Sequence, residues 1–210
     1  MTMQLDRAAL IVVDVQNDFC PGGALAVAEG DAVIPVINRL LPLFAVRVFT
    51  QDWHPADHLS FADSHAGALP FSTIELAYGE QVLWPAHCVQ GSQGAAFHAD
   101  LDTRSADVII RKGFRREIDS YSAFHENDRT TPTGLAGYLR ERGVEAVWIA
   151  GLATDYCVAY SALDAVRLGL GAVVIEDACR AIDLDGSLEQ ALTEMQAKGV
   201  GFARSETVTG

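Results

Sequence analysis

The chain has 210 residues, of which 50% are hydrophobic and 20% are charged, so it holds enough apolar material for one sizeable core. With 7 prolines and 18 glycines, this composition excludes a disordered or collagen-like chain. The formal net charge of -13 argues against nucleic acid or an anionic membrane as a partner, because clustered lysine and arginine side chains bind both. A small or neutral ligand suits such a surface better.

The strands and helices predicted along the chain alternate. Short apolar, β-branched runs separated by helical patterns are typical of a parallel sheet covered by helices. The predicted strands are Ala8–Val13, Ala45–Thr50, Asp107–Lys112, Ala146–Ala150, Ala172–Ile175 and Gly199–Ala203. The predicted helices run from Asp31 to Pro42, Thr131 to Gly143, Thr154 or Asp155 to Gly169, and Ser187 to Gly199. Asp31 is the expected cap of the first helix, and Ser187 with Gln190 forms a capping box at the last.

No repeat or linker divides the chain, which predicts one α/β domain over residues 1–210, built as a three-layer sandwich. The stretch from about 51 to 89 lacks a clear period and holds four of the six histidines. Because a long irregular segment in a compact domain is usually functional, we expect a binding or catalytic role there.

Cysteine usage and apolar runs predict a cellular compartment. Four scattered cysteines, without a Cys-x-x-Cys pair, indicate reduced thiols: Cys20, Cys88, Cys157 and Cys179. The apolar run of Ala8–Val13 meets Asp14 at once and is too short for a signal peptide. We therefore expect a cytoplasmic protein without a membrane span.

Cys157 lies where a predicted strand turns into a predicted helix. Ligands of open parallel sheets bind at the carboxyl ends of the strands, and a cysteine in the first helical turn experiences the positive end of the dipole, which favours the thiolate. Backbone N–H groups of the same turn can stabilise an oxyanion. Free cysteines also pack as small hydrophobic residues, so two interpretations of Cys157 stay open, a nucleophile and a core residue.

Asp14 and Lys112 each stand at the end of a predicted buried strand. An unpaired charge there would be costly. If these strands adjoin Cys157, Asp14 can take the thiol proton while Lys112 holds the thiolate and the carboxylate in place. A structural ion pair at the sheet edge explains the same pattern equally well.

A candidate metal site follows the second predicted strand. Asp52 and His54 are two residues apart, so in an extended chain they point to the same side. A carboxylate with imidazole suits zinc, iron or manganese. His87 is the expected third ligand and His58 a candidate fourth. Ordinary loop polarity is the alternative interpretation.

Three aromatic side chains near these loops are candidates for binding a flat ring, although aromatic residues also fill ordinary cores. They are Phe19, Trp84 and Tyr121. The histidines without comparable neighbours are interpreted as surface or loop residues: His65, His98 and His125.

Taken together, six segments resemble the nicotinamidase branch of the isochorismatase-like cysteine hydrolase family. In the family's order they are Val13–Phe19, Asp52–Pro55, Trp84–Cys88, Lys112-Gly113, Asp119–Phe124 and Gly151–Val158. They span nearly the whole chain, and the Asp-x-His pair with a later histidine distinguishes this branch. The segment Ser64–Gln81 carries no family motif, so its structure is not predicted.

The resemblance implies a six-stranded parallel sheet flanked by helices, and hydrolysis of nicotinamide to nicotinate and ammonia in NAD salvage. It implies a thioester on Cys157, with Asp14 as base and acid and Lys112 lowering the thiol pKa. It further implies an oxyanion hole made by the N–H groups of Ala153 and Cys157, and a cis peptide bond before Ala153 or Thr154.

The same resemblance implies one divalent transition metal, zinc first and iron or manganese next, which would hold the pyridine nitrogen. Its ligands would be Asp52, His54 and His87. The ring pocket would be lined by Phe19, Trp84 and Tyr121. Pyrazinamide is an expected second substrate, and a homo-oligomer is compatible with these features.

Two other functions fit the sequence. The first is a metal-free amidase or ureide hydrolase of the same superfamily, which would use Asp14, Lys112 and Cys157 without a metal. The second is a flavodoxin-like binding domain in which Cys157 only packs. Bound metal distinguishes the first, and alkylation of Cys157 at neutral pH distinguishes the second.

Overall fold

The computed structural model describes residues 5–209, and within them a six-stranded parallel sheet forms the centre of the molecule. Its strands are β1 (Ala8–Val13), β2 (Val46–Asp52), β5 (Val108–Lys112), β6 (Ala146–Leu152), β7 (Gly171–Arg180) and β8 (Gly201–Ala203). Every residue of β1 is buried, so both faces of the sheet are covered there. The predicted fold class, a parallel sheet flanked by helices, is confirmed.

The helices are α1 (Ile34–Leu40), α2 (Leu135–Glu141), α3 (Ala159–Arg167) and α4 (Ser187–Ala197). Both predicted caps are wrong. Asp31 lies in a short 3-10 turn before α1 and makes no capping hydrogen bond. Gly186, in the left-handed conformation, precedes α4, while the Ser187 hydroxyl donates to Asp155 instead. A tertiary partner therefore replaces the local cap.

The irregular region at 51–89 contains an antiparallel hairpin that the sequence did not predict, formed by β3 (Thr73–Leu76) and β4 (Gly79–Val82). Each strand has only four residues. Gln81 is its one fully buried side chain. Such short, largely exposed strands carry little apolar alternation, which is the signal used for prediction. In the described part of the chain, every helix is too short or too polar to cross a bilayer.

The strand order β5-β2-β1-β6-β7-β8 determines where a ligand can bind. From β1 the chain adds strands toward one edge of the sheet, and from β6 it adds strands toward the opposite edge. The direction in which strands are added therefore reverses between the neighbours β1 and β6. In open parallel sheets, ligands bind outside the carboxyl ends of the strands at such a reversal.

Gly151 allows β1 and β6 to approach closely at that point. It pairs with Val13 and has a φ of +125°. A Cβ atom there would overlap the Val13 carbonyl oxygen. Position 151 therefore requires glycine for two reasons, the positive φ and the lack of space for a Cβ atom.

We predict that Gly151→Ala lowers the free energy of unfolding by more than about 2 kcal/mol, because the new methyl group meets backbone atoms that cannot rotate away. Urea denaturation measures the loss. Gly137→Ala is the matched control, since Gly137 lies in α2 with open space around its Cα. It should be neutral or stabilise by up to about 1 kcal/mol. Equal stability of both variants and the parent would contradict the prediction.

Candidate active site

Four adjacent strands bring their last residues to one edge of the sheet. The side chains that meet there are Asp14 after β1, Asp52 at the end of β2, Lys112 at the end of β5 and Cys157 in the turn after β6. All four are buried. Asp14 and Cys157, which are 143 positions apart in the chain, thus become neighbours.

Lys112 lies at the centre of this group. Its Nζ is 2.7 Å from Oδ2 of Asp14 and 3.3 Å from Sγ of Cys157. The same Nζ donates to the Ser120 carbonyl at 2.9 Å and to Oδ1 of Asp52. Burial by itself would lower the pKa of Lys112, but Asp14 and then Asp52 outweigh it and raise that pKa well above its ordinary value. Lys112 is therefore a buried ammonium ion.

Asp14 is oriented by Thr50 as well as by Lys112. The Thr50 hydroxyl donates to Oδ1 of Asp14 at 2.6 Å and accepts from the Asp14 N–H at 3.2 Å. Burial raises the pKa of Asp14, and the neighbouring Asp52 carboxylate adds to the rise, while Lys112 opposes it. A carboxyl group whose pKa is raised in this way is suited to accept and return a proton. Sequence reasoning missed Thr50, which is buried within β2.

Cys157 lies in a single π-helical turn, Thr154–Val158, that leads into α3. The structure corrects the expectation that this position favours the thiolate. Burial raises the pKa of the thiol well above its ordinary value, and Asp14 and Asp52 add to it, although Lys112 acts in the opposite direction. The thiol proton therefore needs a base, and carboxylate oxygens of Asp14 and Asp52 lie within 4.8 Å of the sulfur.

The candidate metal ligands also converge. Nε2 of His54 is 3.5 Å, and Nε2 of His87 is 3.8 Å, from Oδ2 of Asp52. Nδ1 of His54 lies 2.8 Å from the Gly113 carbonyl, and Nδ1 of His87 lies 2.8 Å from the Pro85 carbonyl. Each Nδ1–H must donate to its carbonyl, which leaves both Nε2 lone pairs facing one carboxylate. Two imidazoles and a carboxylate held in this way fit a divalent transition metal.

His58 is arranged differently. Its Nδ1 accepts from the Ser60 N–H at 3.1 Å and contacts the Ser60 hydroxyl at 2.7 Å, and its Nε2 faces the Ile118 carbonyl at 3.3 Å. A ring atom of His58 also comes within 4.8 Å of ligand atoms of His54 and Asp119. Both ring nitrogens of His58 thus have protein partners, and His58 stands beside the Asp52, His54 and His87 set.

A cavity lined largely by aromatic and apolar side chains opens onto these groups. The lining includes site residues that the sequence predicted: Phe19, Asp52, Trp84, His87, Tyr121, Ala153 and Cys157. It also includes residues that the sequence interpretation missed: Leu25, Asp119, Tyr156 and Ile182. The rings of Trp84 and Tyr156 meet edge to face at 4.9 Å. The position of Tyr156 next to Cys157 was an available signal.

Gln81 connects the hairpin to the cavity wall. Its side-chain Nε2 lies 3.0 Å from Oδ2 of Asp119 and 2.9 Å from the Tyr121 hydroxyl. Trp84 Nε1 donates to the same hydroxyl at 3.0 Å. The Tyr78 hydroxyl donates to Gln81 Oε1 at 2.9 Å. The hairpin thereby fixes two groups that face the cavity.

The chain is similar in sequence and fold to several known proteins. The model of the isochorismatase domain matches residues 8–207. The nicotinamidase of Acinetobacter baylyi is 61% identical over 205 residues, covering 98% of this chain and 96% of that protein. The solved Acinetobacter baumannii nicotinamidase/pyrazinamidase has a TM-score of 0.96 at 58% identity, covering 99% and 100% of the two chains. The pyrazinamidase of Pyrococcus horikoshii, solved in complex with zinc, has a TM-score of 0.76 at 40% identity and covers 94% and 99%.

We predict that Gln81→Leu lowers the free energy of unfolding by about 1–3 kcal/mol, because buried groups on Asp119 and Tyr121 lose a hydrogen-bond partner. Urea denaturation provides the measurement. Gln90→Leu is the control, since Gln90 is exposed and donates to the Trp53 carbonyl at 2.9 Å. It should change stability by less than about 0.5 kcal/mol. An equally small loss in both variants would contradict a supporting role for Gln81.

Proposed function

Since the chain belongs to the isochorismatase family, we propose that it is a nicotinamidase. It hydrolyses nicotinamide to nicotinate and ammonia, a step of NAD salvage, and takes pyrazinamide as a second substrate. The observation that carries this proposal is the contact of the Lys112 ammonium with Asp14, Cys157 and Asp52 together. That contact joins a nucleophile to a metal-ligand set at one wall of an aromatic cavity.

The reaction begins with the Cys157 thiol. Asp14 takes the thiol proton, and the sulfur attacks the carbonyl carbon of the carboxamide. The backbone N–H groups of Ala153 and Cys157 stabilise the oxyanion that develops. Ala153 follows the cis Leu152–Ala153 peptide bond and lines the cavity beside the sulfur.

Collapse of the tetrahedral intermediate breaks the carbon–nitrogen bond. Asp14 returns its proton to the leaving nitrogen, ammonia departs, and a thioester remains on Cys157. Asp14 then takes a proton from a water molecule whose oxygen attacks the thioester carbonyl carbon. The carbon–sulfur bond breaks, Asp14 returns its proton to sulfur, and nicotinic acid leaves and gives its carboxyl proton to water, forming nicotinate.

Lys112 offsets the cost of moving negative charge within a buried site. Its positive charge compensates the negative charge that passes between Asp14 and the sulfur. Lys112 also pairs with Asp52. The ammonium therefore remains in place whether Asp14 or the sulfur of Cys157 carries the negative charge. The aromatic side chains of Phe19, Trp84 and Tyr121 hold the flat ring.

A divalent transition metal fits the ligand set of Asp52, His54 and His87. When bound, it supplies a Lewis-acidic anchor for the ring nitrogen of the substrate. Zinc is the first candidate because the Pyrococcus horikoshii relative is solved with zinc, and iron and manganese accept the same ligands. The Nε2 atoms that face one carboxylate argue against the metal-free amidase, and the Lys112–Cys157 contact argues against a binding domain with an inert cysteine.

We predict that Cys157→Ala reduces ammonia release from nicotinamide at least about 1,000-fold, because among residues 5–209 Cys157 is the one cysteine that lines the cavity. Bound metal and the circular dichroism spectrum should be retained. Cys179→Ala, which removes a buried sulfur away from the cavity lining, is the control and should keep its turnover. Substantial turnover by Cys157→Ala would overturn the assignment of the nucleophile.

We predict that His54→Ala loses its metal, because one of two histidine ligands is removed, and that its affinity for nicotinate falls. Elemental analysis after dialysis measures the first effect and isothermal calorimetry the second. His98→Ala is the control, since His98 lies beside the exposed Asp100. Unchanged metal stoichiometry in His54→Ala would remove His54 from the ligand set.

A further inference from the structure

Asp155 carries a buried carboxylate that the reaction above does not use. It stands two positions before Cys157 in the same π-helical turn. Its Oδ1 accepts from the Ile182 N–H at 3.0 Å. Its Oδ2 accepts from the Asp183 N–H at 2.7 Å and from the Ser187 hydroxyl at 2.5 Å. A carboxylate that accepts three uncharged donors from one distant segment fastens that segment to its own turn.

The segment that Asp155 holds is the loop of residues 181–186 between β7 and α4, together with Ser187 at the start of α4. Its backbone is left-handed at Asp183 (φ +55°), Asp185 (φ +50°) and Gly186 (φ +83°). Left-handed residues other than glycine persist when the surrounding contacts determine them. The Ser187 hydroxyl contributes as well, because it accepts from the Leu184 N–H at 2.9 Å while it donates to Asp155.

Ile182 connects this loop to the site. Ile182 lines the cavity together with Tyr156 and Cys157. The N–H of Ile182 is the group bound by Asp155 Oδ1. The hydrogen bonds of Asp155 therefore join the turn that bears Cys157 to the part of the cavity wall formed by Ile182.

We propose that Asp155 is a positioning residue that sets the fit of the aromatic ring by holding Ile182 against the cavity. The proposal rests on the proposed function for the identity of the substrate. Asp155 acts through Ile182 and is absent from the cavity lining formed by residues 5–209. The hydrogen bonds that Asp155 accepts from Ile182, Asp183 and Ser187 are called the clasp. Loss of the clasp should weaken ring binding more than it slows the chemical step, because Asp14 and Lys112 keep their own contacts with the sulfur.

The kinetic test is a double-mutant cycle on nicotinamide hydrolysis. Asp155→Asn replaces one carboxylate oxygen, which accepts hydrogen bonds, with an NH2 group, which donates them. The backbone N–H groups or the Ser187 hydroxyl on that side then face another donor. It should raise KM about tenfold and change kcat by less than about threefold. Ile182→Ala should have a similar effect. The double variant should stay near tenfold, because both changes remove the same wall, whereas independent effects would multiply to about 100-fold. Multiplied effects would overturn the proposal.

Asp177→Asn is the matched control for loss of a carboxylate clasp. The Asp177 carboxylate accepts from the Ser205 N–H at 2.7 Å and from the Ser205 hydroxyl at 2.5 Å, the same chemistry away from the cavity lining. KM should be unchanged in this variant. An equal rise of KM in Asp177→Asn would assign the effect to general destabilisation and contradict a specific role for Asp155.

A milder variant and a second measurement keep the test independent of folding and of activity. Ser187→Ala leaves the carboxylate intact, removes one donor and should raise KM about threefold. In Asp155→Asn, amide hydrogen exchange at Ile182 and Asp183 should accelerate at least about tenfold. Unchanged protection would overturn the clasp. If the parent protein releases no ammonia from nicotinamide, the proposed function fails, while the exchange result still decides the clasp.

Discussion

The buried ammonium of Lys112 is the constraint on which the active-site edge of the sheet depends. Transfer of one charge from water to a protein interior costs several kcal/mol even after relaxation. Lys112 is compensated by Asp14 and Asp52, which come from two neighbouring strands, and by the Ser120 carbonyl. One cation thus neutralises both the proposed proton-transfer group, Asp14, and a proposed metal ligand, Asp52. The proposed nucleophile cluster and the proposed metal-ligand set therefore form one electrostatic unit.

That unit exists because of strand order. β1, β2, β5 and β6 are adjacent and parallel, so their carboxyl ends lie side by side. Glycine at position 151 permits the close approach of β6 to the end of β1. Buried strands and hydrogen-bonded side chains hold the reacting groups, which is the rigid support that precise chemistry requires. Gln81 joins the β3–β4 hairpin to Tyr121 in the cavity wall, and Asp155 joins the loop of residues 181–186 to the turn after β6.

Much of the fold was predictable from local patterns, and the errors have physical causes. Continuous apolar runs located the central strands, since a strand buried on both faces has no polar side. The capping box at Ser187 failed because its hydroxyl is bound by Asp155, which is distant in the chain. The hairpin of β3 and β4 was not predicted because Gln81 is its one fully buried side chain, which leaves little apolar alternation in the sequence. Tyr156 and Ile182 were missed as cavity residues because the sequence pattern of an apolar or aromatic residue is the same whether it lines a cavity or packs in the core.

The amino-acid sequence by itself determined which chemical groups are available: a thiol after a strand, charged residues at strand ends, and an Asp-x-His pair followed by a histidine. Only the tertiary structure decided that Lys112 touches Asp14, Asp52 and Cys157 at once, and that burial raises the pKa of the Cys157 thiol. The reason is physical. A side chain's identity is encoded at one position, whereas its pKa and its partners depend on burial and on charges contributed by strands remote in the chain.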